Sequence, residues 1–299
     1  MSNINYYDKI GHALKDLRLK KNLSRKQLAE GICSVSYITR IENGSRCPTS
    51  VILRQLATKL GVTTEELFRA IESPSAIRVK ELIDQLFYTI ERSNYADILK
   101  AIDENENEIQ ISSIHDFQIV NALKVNASAM LEQKYSDGIN KLQEILELTY
   151  IRETKPTDIE FGIMTSISYL MHLNGQKADA YLTLIKLKDY VDSINFIHTQ
   201  FLRPRYYLYL TLISIDFIPI EDSFRQIERA ISYCKEKNSY PLLRELYAAK
   251  GELFLRSGDQ QNYDLWISKA LTLHELIKCS DDDYFPTFLD YRKKLILQD

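Results

Sequence analysis

Apolar positions along this chain recur at helical spacing almost from end to end, and in the first 72 residues they fall into five short runs. Ile10, Ala13, Leu14 and Leu17 share one face of a first helix that ends near Asn22. Ser24, with Gln27 three residues on, forms a capping box in which each side chain satisfies a backbone N–H that the helix start leaves unpaired. It opens a second helix with Leu28, Ala29 and Ile32 inward. After a tight turn near Cys33–Ser34, a third helix is predicted from Val35 to Asn43, burying Ile38 and Ile41, with Gly44 as its stop. Pro48 and Thr49 open a fourth, which turns Ile52, Leu53, Leu56, Ala57 and Leu60 inward and closes at Gly61. Thr63 and Glu66 form a second capping box before a fifth helix whose apolar residues are Leu67 and Phe68. Helices two and three, only three or four residues apart, suit a helix-turn-helix unit.

Ser73-Pro74-Ser75 then reads as a linker, because proline disfavours a helical residue before it. The expected division is a head at 1–72, a linker at 73–76 and a body at 77–299. Beyond the linker the pattern repeats. Five four-residue strings end in Asp: NYAD at Asp97, KYSD at Asp137, QKAD at Asp179, PIED at Asp222 and QNYD at Asp264, with spacings of 40, 42, 43 and 42. Two residues after each Asp stands a bulky apolar side chain (Leu99, Ile139, Tyr181, Phe224, Trp266). Three further on come Ile102, Leu142, Leu184 and Ile227, with Lys269 the one break. Each string starts the second helix of a pair, and first helices are expected near 76–92, 114–132, 157–173, 200–215 and 242–257. A helix at 285–297 would cap the end. One helix pair cannot bury its own apolar face, whereas stacked pairs form a continuous core. The expected fold is therefore all-α: a five-helix head, then a right-handed superhelix of about five TPR-like pairs with a C-terminal capping helix.

Charge sharpens this division. The net charge of −3 hides twelve Lys/Arg against seven Asp/Glu in residues 1–72, about +5, which leaves about −8 for the remainder. A basic head on an acidic body suits a nucleic-acid reader joined to something of another kind. The longest apolar stretch, at Tyr206, is cut by Asp216 and too short to span a bilayer, and no export signal opens the chain, so a cytoplasmic protein without a membrane partner is expected. Cys33, Cys47, Cys234 and Cys279 lack metal-ligand spacing and read as reduced, mostly buried thiols. His12, His115, His172, His198 and His274 are dispersed without triad or ligand spacing, so no catalytic residue, metal or cofactor is expected and the protein is not read as an enzyme.

The head resembles the Cro/repressor or XRE type of helix-turn-helix. QLAE, ITRIENG, the proline and LATKLGVTTEEL stand in that family's order over about Ile10 to Phe68, with a turn one residue shorter than the commonest form, as in PlcR-type regulators. In such a unit the third helix lies in the major groove with its N-terminal residues facing base edges. The resemblance puts Val35, Ser36 and Arg40 at base-facing positions, flanked by Ser34 and Tyr37. Arg40 can fork onto guanine O6 and N7, and Val35 can meet a thymine methyl. Arg25, Gln27, Asn43 and Arg46 are placed for phosphates, which set register. Arg18 and Glu42 match positions that form an internal ion pair in this family.

Stacked helix pairs expose a concave face lined by their first helices, suited to extended peptides. Polar and aromatic groups fall there at helical spacing: Asn121, Lys124 and Ser128; Thr165 and Tyr169; Arg205 and Tyr209; Tyr247 and Lys250. Asn side chains pair with a peptide backbone, and Lys124, Arg205 or Lys250 would receive a carboxylate. Head and body together resemble the RNPP regulators (Rgg, NprR, PlcR and PrgX types), most of all the PlcR branch. That resemblance implies a quorum-sensing transcription factor of Gram-positive bacteria: a homodimer on a palindromic double-stranded operator, controlled by a short signalling peptide in the groove. The chain departs from the PlcR pattern where Thr165 and Tyr169 stand in place of backbone-holding Asn residues; Asn121 and Asn126 remain. Two alternatives stay open: repeats that bind a protein partner instead of a peptide, and a bifunctional regulator acting also on a phosphorylated partner.

Overall fold

The computed structural model describes residues 6–69, 71, 74–91, 94–193, 201–237, 240–277, 285 and 289. It is all-α: fifteen helices, with no strand among the described residues. Contacts divide the chain into two compact units, Met1–Arg78 and Val79–Asp299.

The first unit holds α1 (Tyr6–Lys20), α2 (Arg25–Ala29), α3 (Val35–Glu42), α4 (Ser50–Leu60) and α5 (Thr64–Arg69). The predicted caps are in place. Ser24 Oγ accepts from Gln27 N at 3.2 Å while Gln27 Oε1 accepts from Ser24 N at 2.8 Å. Thr63 and Glu66 reciprocate in the same way at 3.1 and 2.7 Å. Thr49 caps α4, and Gly61 ends it at φ 72°. Ile10, Leu14, Leu28, Ile38, Ile41, Leu53, Leu56, Leu60 and Leu67 form one core. Two expectations change. The second helix stops at Ala29, because Glu30 leaves helical geometry (ψ 123°), so Ile32 sits half-buried in the turn. Phe68 is 37% exposed: α5 is a single short helix, and Leu67, about 100° away, takes the core position.

Gly11 fixes how α1 meets α3. A Cβ there would stand 2.1 Å from the Ile41 carbonyl oxygen, so only glycine lets the first helix lie directly on the end of the third.

In the second unit, first and second helices alternate: α6 (Pro74–Glu91) with α7 (Tyr95–Asn105), α8 (Ile114–Glu132) with α9 (Tyr135–Leu146), α10 (Asp158–Leu173) with α11 (Lys177–Val191). Two more pairs follow, α12 (Leu202–Ser214) with α13 (Ile220–Lys237), and α14 (Tyr240–Arg256) with α15 (Gln260–Ile277). First helices also pack on the next first helix, α8 on α10, α10 on α12 and α12 on α14, as a stack of pairs requires. One continuous core runs from Val79 to Phe285. The predicted capping helix lies outside the described residues except for Phe285, buried against the His274 ring at 5.0 Å, and the half-buried Leu289.

Residues 74–76, read as linker, are the opening turn of α6. Proline suits a first helical position, where its missing N–H has no partner to lose. The fifth repeat register also changes. Asp259 caps α15 by accepting from Asn262 N at 3.0 Å, just as Asn94 caps α7 by accepting from Asp97 N at 3.2 Å. The equivalent of Asp97 is thus Asn262, not Asp264, and Ile267 takes the place assigned to Lys269. Among the described residues no helix is long and apolar enough to cross a membrane.

Candidate functional site

The outer face of α3 is built from the inside. Glu42, 3% exposed, accepts from Arg18 Nε at 2.6 Å, Arg18 Nη2 at 3.1 Å and Arg25 Nε at 2.8 Å. Arg18 Nη1 also donates to the Leu23 carbonyl at 2.8 Å. One buried carboxylate therefore ties α1, α2 and the loop between them to the last turn of α3. Burial alone would push the Glu42 carboxyl up; the hydrogen bonds and charges of Arg18 and Arg25 outweigh it and hold it below its ordinary range.

On this support Ser34, Val35, Ser36 and Arg40 are exposed, Val35 at 43%. Ser34 Oγ accepts from Tyr37 N at 3.2 Å and lies 3.0 Å from Ser36 Oγ. The Arg40 carbonyl accepts from Ser45 N at 2.9 Å, Ser45 Oγ at 3.0 Å and Arg46 N at 3.2 Å, which fixes the loop that carries Arg46. Tyr37 is half-buried, under the Arg46 guanidinium at 5.5 Å. Asn43 and Arg46 are exposed. Arg25 is less available than its sequence position suggests, since its Nε is held by Glu42 with the side chain 38% exposed. Gln27 commits Oε1 to the cap, leaving its amide NH2 as the group able to meet a phosphate. Cys47 is exposed, unlike the buried Cys234.

The nine residues predicted to line a peptide groove do not meet in one place. Thr165 is 1% exposed and its hydroxyl donates to the Phe161 carbonyl at 2.7 Å, within its own helix. Tyr169 and Tyr209 are buried and stacked on each other at 4.0 Å and 3°. Arg205, 5% exposed, donates from Nη2 to the Ile90 carbonyl at 2.5 Å and from Nη1 to Tyr209 Oη at 3.3 Å. The last turn of α6 thus covers this part of α12, and Phe87 meets Phe201 at 5.7 Å. These four side chains belong to the interior of the stack. Burial works to discharge Arg205, and Tyr209, Tyr95 and Glu245 around it outweigh that effect and raise it above its ordinary value. Lys250, 8% exposed, places Nζ 3.8 Å from the Trp266 ring centre and pairs with Glu228; Tyr247 meets the same indole edge-on at 5.1 Å. Lys124 and Ser128 line a separate depression with Glu132, Lys134, Asp137 and Lys141. Asn121 donates Nδ2 to the Phe117 carbonyl at 2.9 Å.

The first helices instead form a different cleft, of ≈ 530 Å³ with its open mouth included. Phe87 and Ile90 come from α6, Ile119, Leu123 and Asn126 from α8, Ser166 from α10 and Leu202 and Arg205 from α12. Only Arg205 is shared with the predicted set. The signal for Asn126 is its place in an apolar stripe of spacing i, i+3, i+4, i+7 (Ile119, Ala122, Leu123, Asn126), where a polar side chain is out of pattern. Among the described residues no group of His, Cys, Asp or Glu is arranged to hold a metal ion.

A family model described as helix-turn-helix matches residues 14–67. No curated protein matches the chain in sequence. Among solved structures, the fold is similar to that of Bacillus thuringiensis PlcR in complex with the peptide PapR7 and DNA, at 19% identity and TM-score 0.73, covering 98% of this chain and 100% of that one. It is also similar to ComR from S. thermophilus in complex with DNA and its signalling peptide ComS, at 15% identity and TM-score 0.61, covering 96% and 99% of the two chains. Streptococcus dysgalactiae Rgg2, an SHP pheromone receptor, aligns over 95% of this chain and 99% of its own, at 17% identity and TM-score 0.56. At these identities the likeness is one of fold.

Proposed function

We propose that the protein is a sequence-specific DNA-binding transcriptional regulator whose repeat unit takes a short signalling peptide, and that the peptide controls operator binding by a homodimer. The observation that carries the DNA part is the exposed first turn of α3, with Val35, Ser36 and Arg40 outward on a helix anchored from beneath by the Arg18–Glu42–Arg25 cluster. A helix presented this way reads base edges in the major groove, and exposed Arg46 and Asn43 beside it meet phosphates. A palindromic operator with half-sites about one DNA turn apart, ~34–36 Å, follows for a two-fold dimer.

The peptide part is supported by the fold shared with PlcR, ComR and Rgg2 and by the cleft among the first helices. α6 offers a physical route between the functions. The division between units falls inside it, at Arg78–Val79, and its last turn is held by Arg205. A ligand that changes the Arg205–Ile90 contact therefore acts on the helix that leads from the DNA-binding unit. Such a ligand shifts DNA affinity only through its different affinities for the two states. The test is to select DNA from a random duplex pool with the full chain, then titrate the selected duplex with and without peptides from a native extract. A selected palindrome whose affinity changes with one eluted peptide fits the proposal. Failure to select any sequence defeats the DNA part, and an affinity indifferent to every peptide fraction defeats the control part.

A further inference from the structure

Arg205 is the one charged side chain in the cleft lining among the described residues. It is 95% removed from solvent (5% exposed), and its Nε has no hydrogen-bond partner among the described residues although Nη1 and Nη2 are both used. No carboxylate forms an ion pair with it among the described residues; Glu245 acts on it only through space. Asn126, 6% exposed and in the same lining, makes no side-chain hydrogen bond among the described residues. The remaining described walls are apolar apart from Ser166, with Phe87, Phe201, Leu123 and Ile163 prominent. A guanidinium away from water and without a contacting anion is costly, and the unpaired Asn126 amide beside it supplies a donor for the same ligand group. Both stand in the lining of the same cleft, whose other described walls give an apolar ligand body somewhere to pack.

We infer that this cleft binds a ligand with an apolar body ending in a carboxylate, the carboxylate taking Arg205 Nε and the Asn126 amide while the body fills the space between Phe87, Leu123, Ile163 and Phe201. A cationic head is rejected by Arg205, and a neutral one leaves Nε without an anion. The C-terminal residue of a peptide and a free medium-chain alkanoate share this chemistry. The inference rests on the reading of the repeats as the ligand-receiving unit, and the experiment separates the two.

The full chain is titrated calorimetrically with three probes: heptapeptide pools ending in Leu or Phe as free acids, the same pools as C-terminal amides, and sodium octanoate. The expected result is that free acids bind about tenfold to a hundredfold more tightly than amides, the range of a charge-assisted hydrogen bond. Arg205→Met should remove that preference. Because Arg205 also holds Ile90, Ala122→Leu is the second variant: it narrows the cleft from its half-exposed wall and should abolish acid binding with helicity unchanged. Octanoate binding that depends on Arg205 and Ala122, without peptide binding, keeps the site and overturns the peptide reading. Equal affinity for acids and amides, binding of acids undiminished in folded Ala122→Leu, or no binding of any carboxylate probe overturns the inference.

Discussion

The support beneath α3 makes a quantitative prediction through Glu42→Gln. In the native protein one carboxylate neutralises Arg18, whose side chain is 8% exposed, and shares Arg25, 38% exposed. Glutamine keeps the shape but removes the charge, and turns an NH2 toward one of two guanidinium groups. Breaking a buried pair from one side costs about 3–5 kcal/mol, because the remaining ion stays buried. At roughly 0.05–0.15 kcal/mol per residue, the 78 residues of the first unit are worth about 4–12 kcal/mol in all. The substitution therefore removes about a quarter or more of that stability, a fall of roughly 12–40 °C at about 4–8 °C per kcal/mol. The assay uses a feature of this sequence: its one tryptophan, Trp266, lies in the second unit, so fluorescence follows that unit alone. Hydrogen exchange of peptides covering α1 to α3 should accelerate roughly a hundredfold to several thousandfold, with the Trp266 transition unmoved. Arg25→Gln, which removes a half-exposed partner, should cost no more than about 1 kcal/mol. If Glu42→Gln speeds exchange less than tenfold, or no more than Arg25→Gln does, the cluster is not what holds α3 in place.

Three further outcomes are expected. Glu42 is depressed in the folded state, so its stabilisation is complete above the unfolded carboxyl value, about 4.3, and is lost as pH falls through the lower folded value; exchange protection of α3 should drop on acidification from pH 5 to 3, and drop less in Glu42→Gln. Gly11→Ala drives a Cβ to 2.1 Å from a backbone oxygen that cannot rotate away, at a cost of about 1–3 kcal/mol; faster exchange in α1 and α3 by roughly tenfold to a hundredfold is the readout, and wild-type protection refutes the close approach. Arg40→Ala should relax selection at one base pair per half-site by about 1–3 kcal/mol, measured by anisotropy on duplexes substituted one base at a time; uniform weakening on all of them would make Arg40 a phosphate contact.

Most of the architecture follows from local rules that one sequence states fully. The caps at Ser24, Thr49 and Thr63 and the ends at Gly44 and Gly61 are short-range chemistry, and helical periodicity with a repeat near 42 residues places ten further helices as five pairs. The exposed turn of α3 was legible for the same reason: its neighbours along the chain decide which way it faces. The register of the fifth repeat misled because two Asp residues, Asp259 and Asp264, compete as markers, and only the N-cap hydrogen bond chooses between them. What no local rule contains is which polar residues of a first helix meet solvent. Thr165, Tyr169, Arg205 and Tyr209 fall on suitable positions of α10 and α12, but packing between distant segments makes them interior: Tyr169 and Tyr209 stack across the two helices, and Arg205 is held by Ile90 of α6, 115 residues earlier. Helical spacing fixes the side a residue lies on, whereas burial depends on whatever distant segment packs against that side. That long-range packing created the cleft and set Arg205 and Asn126 in its wall.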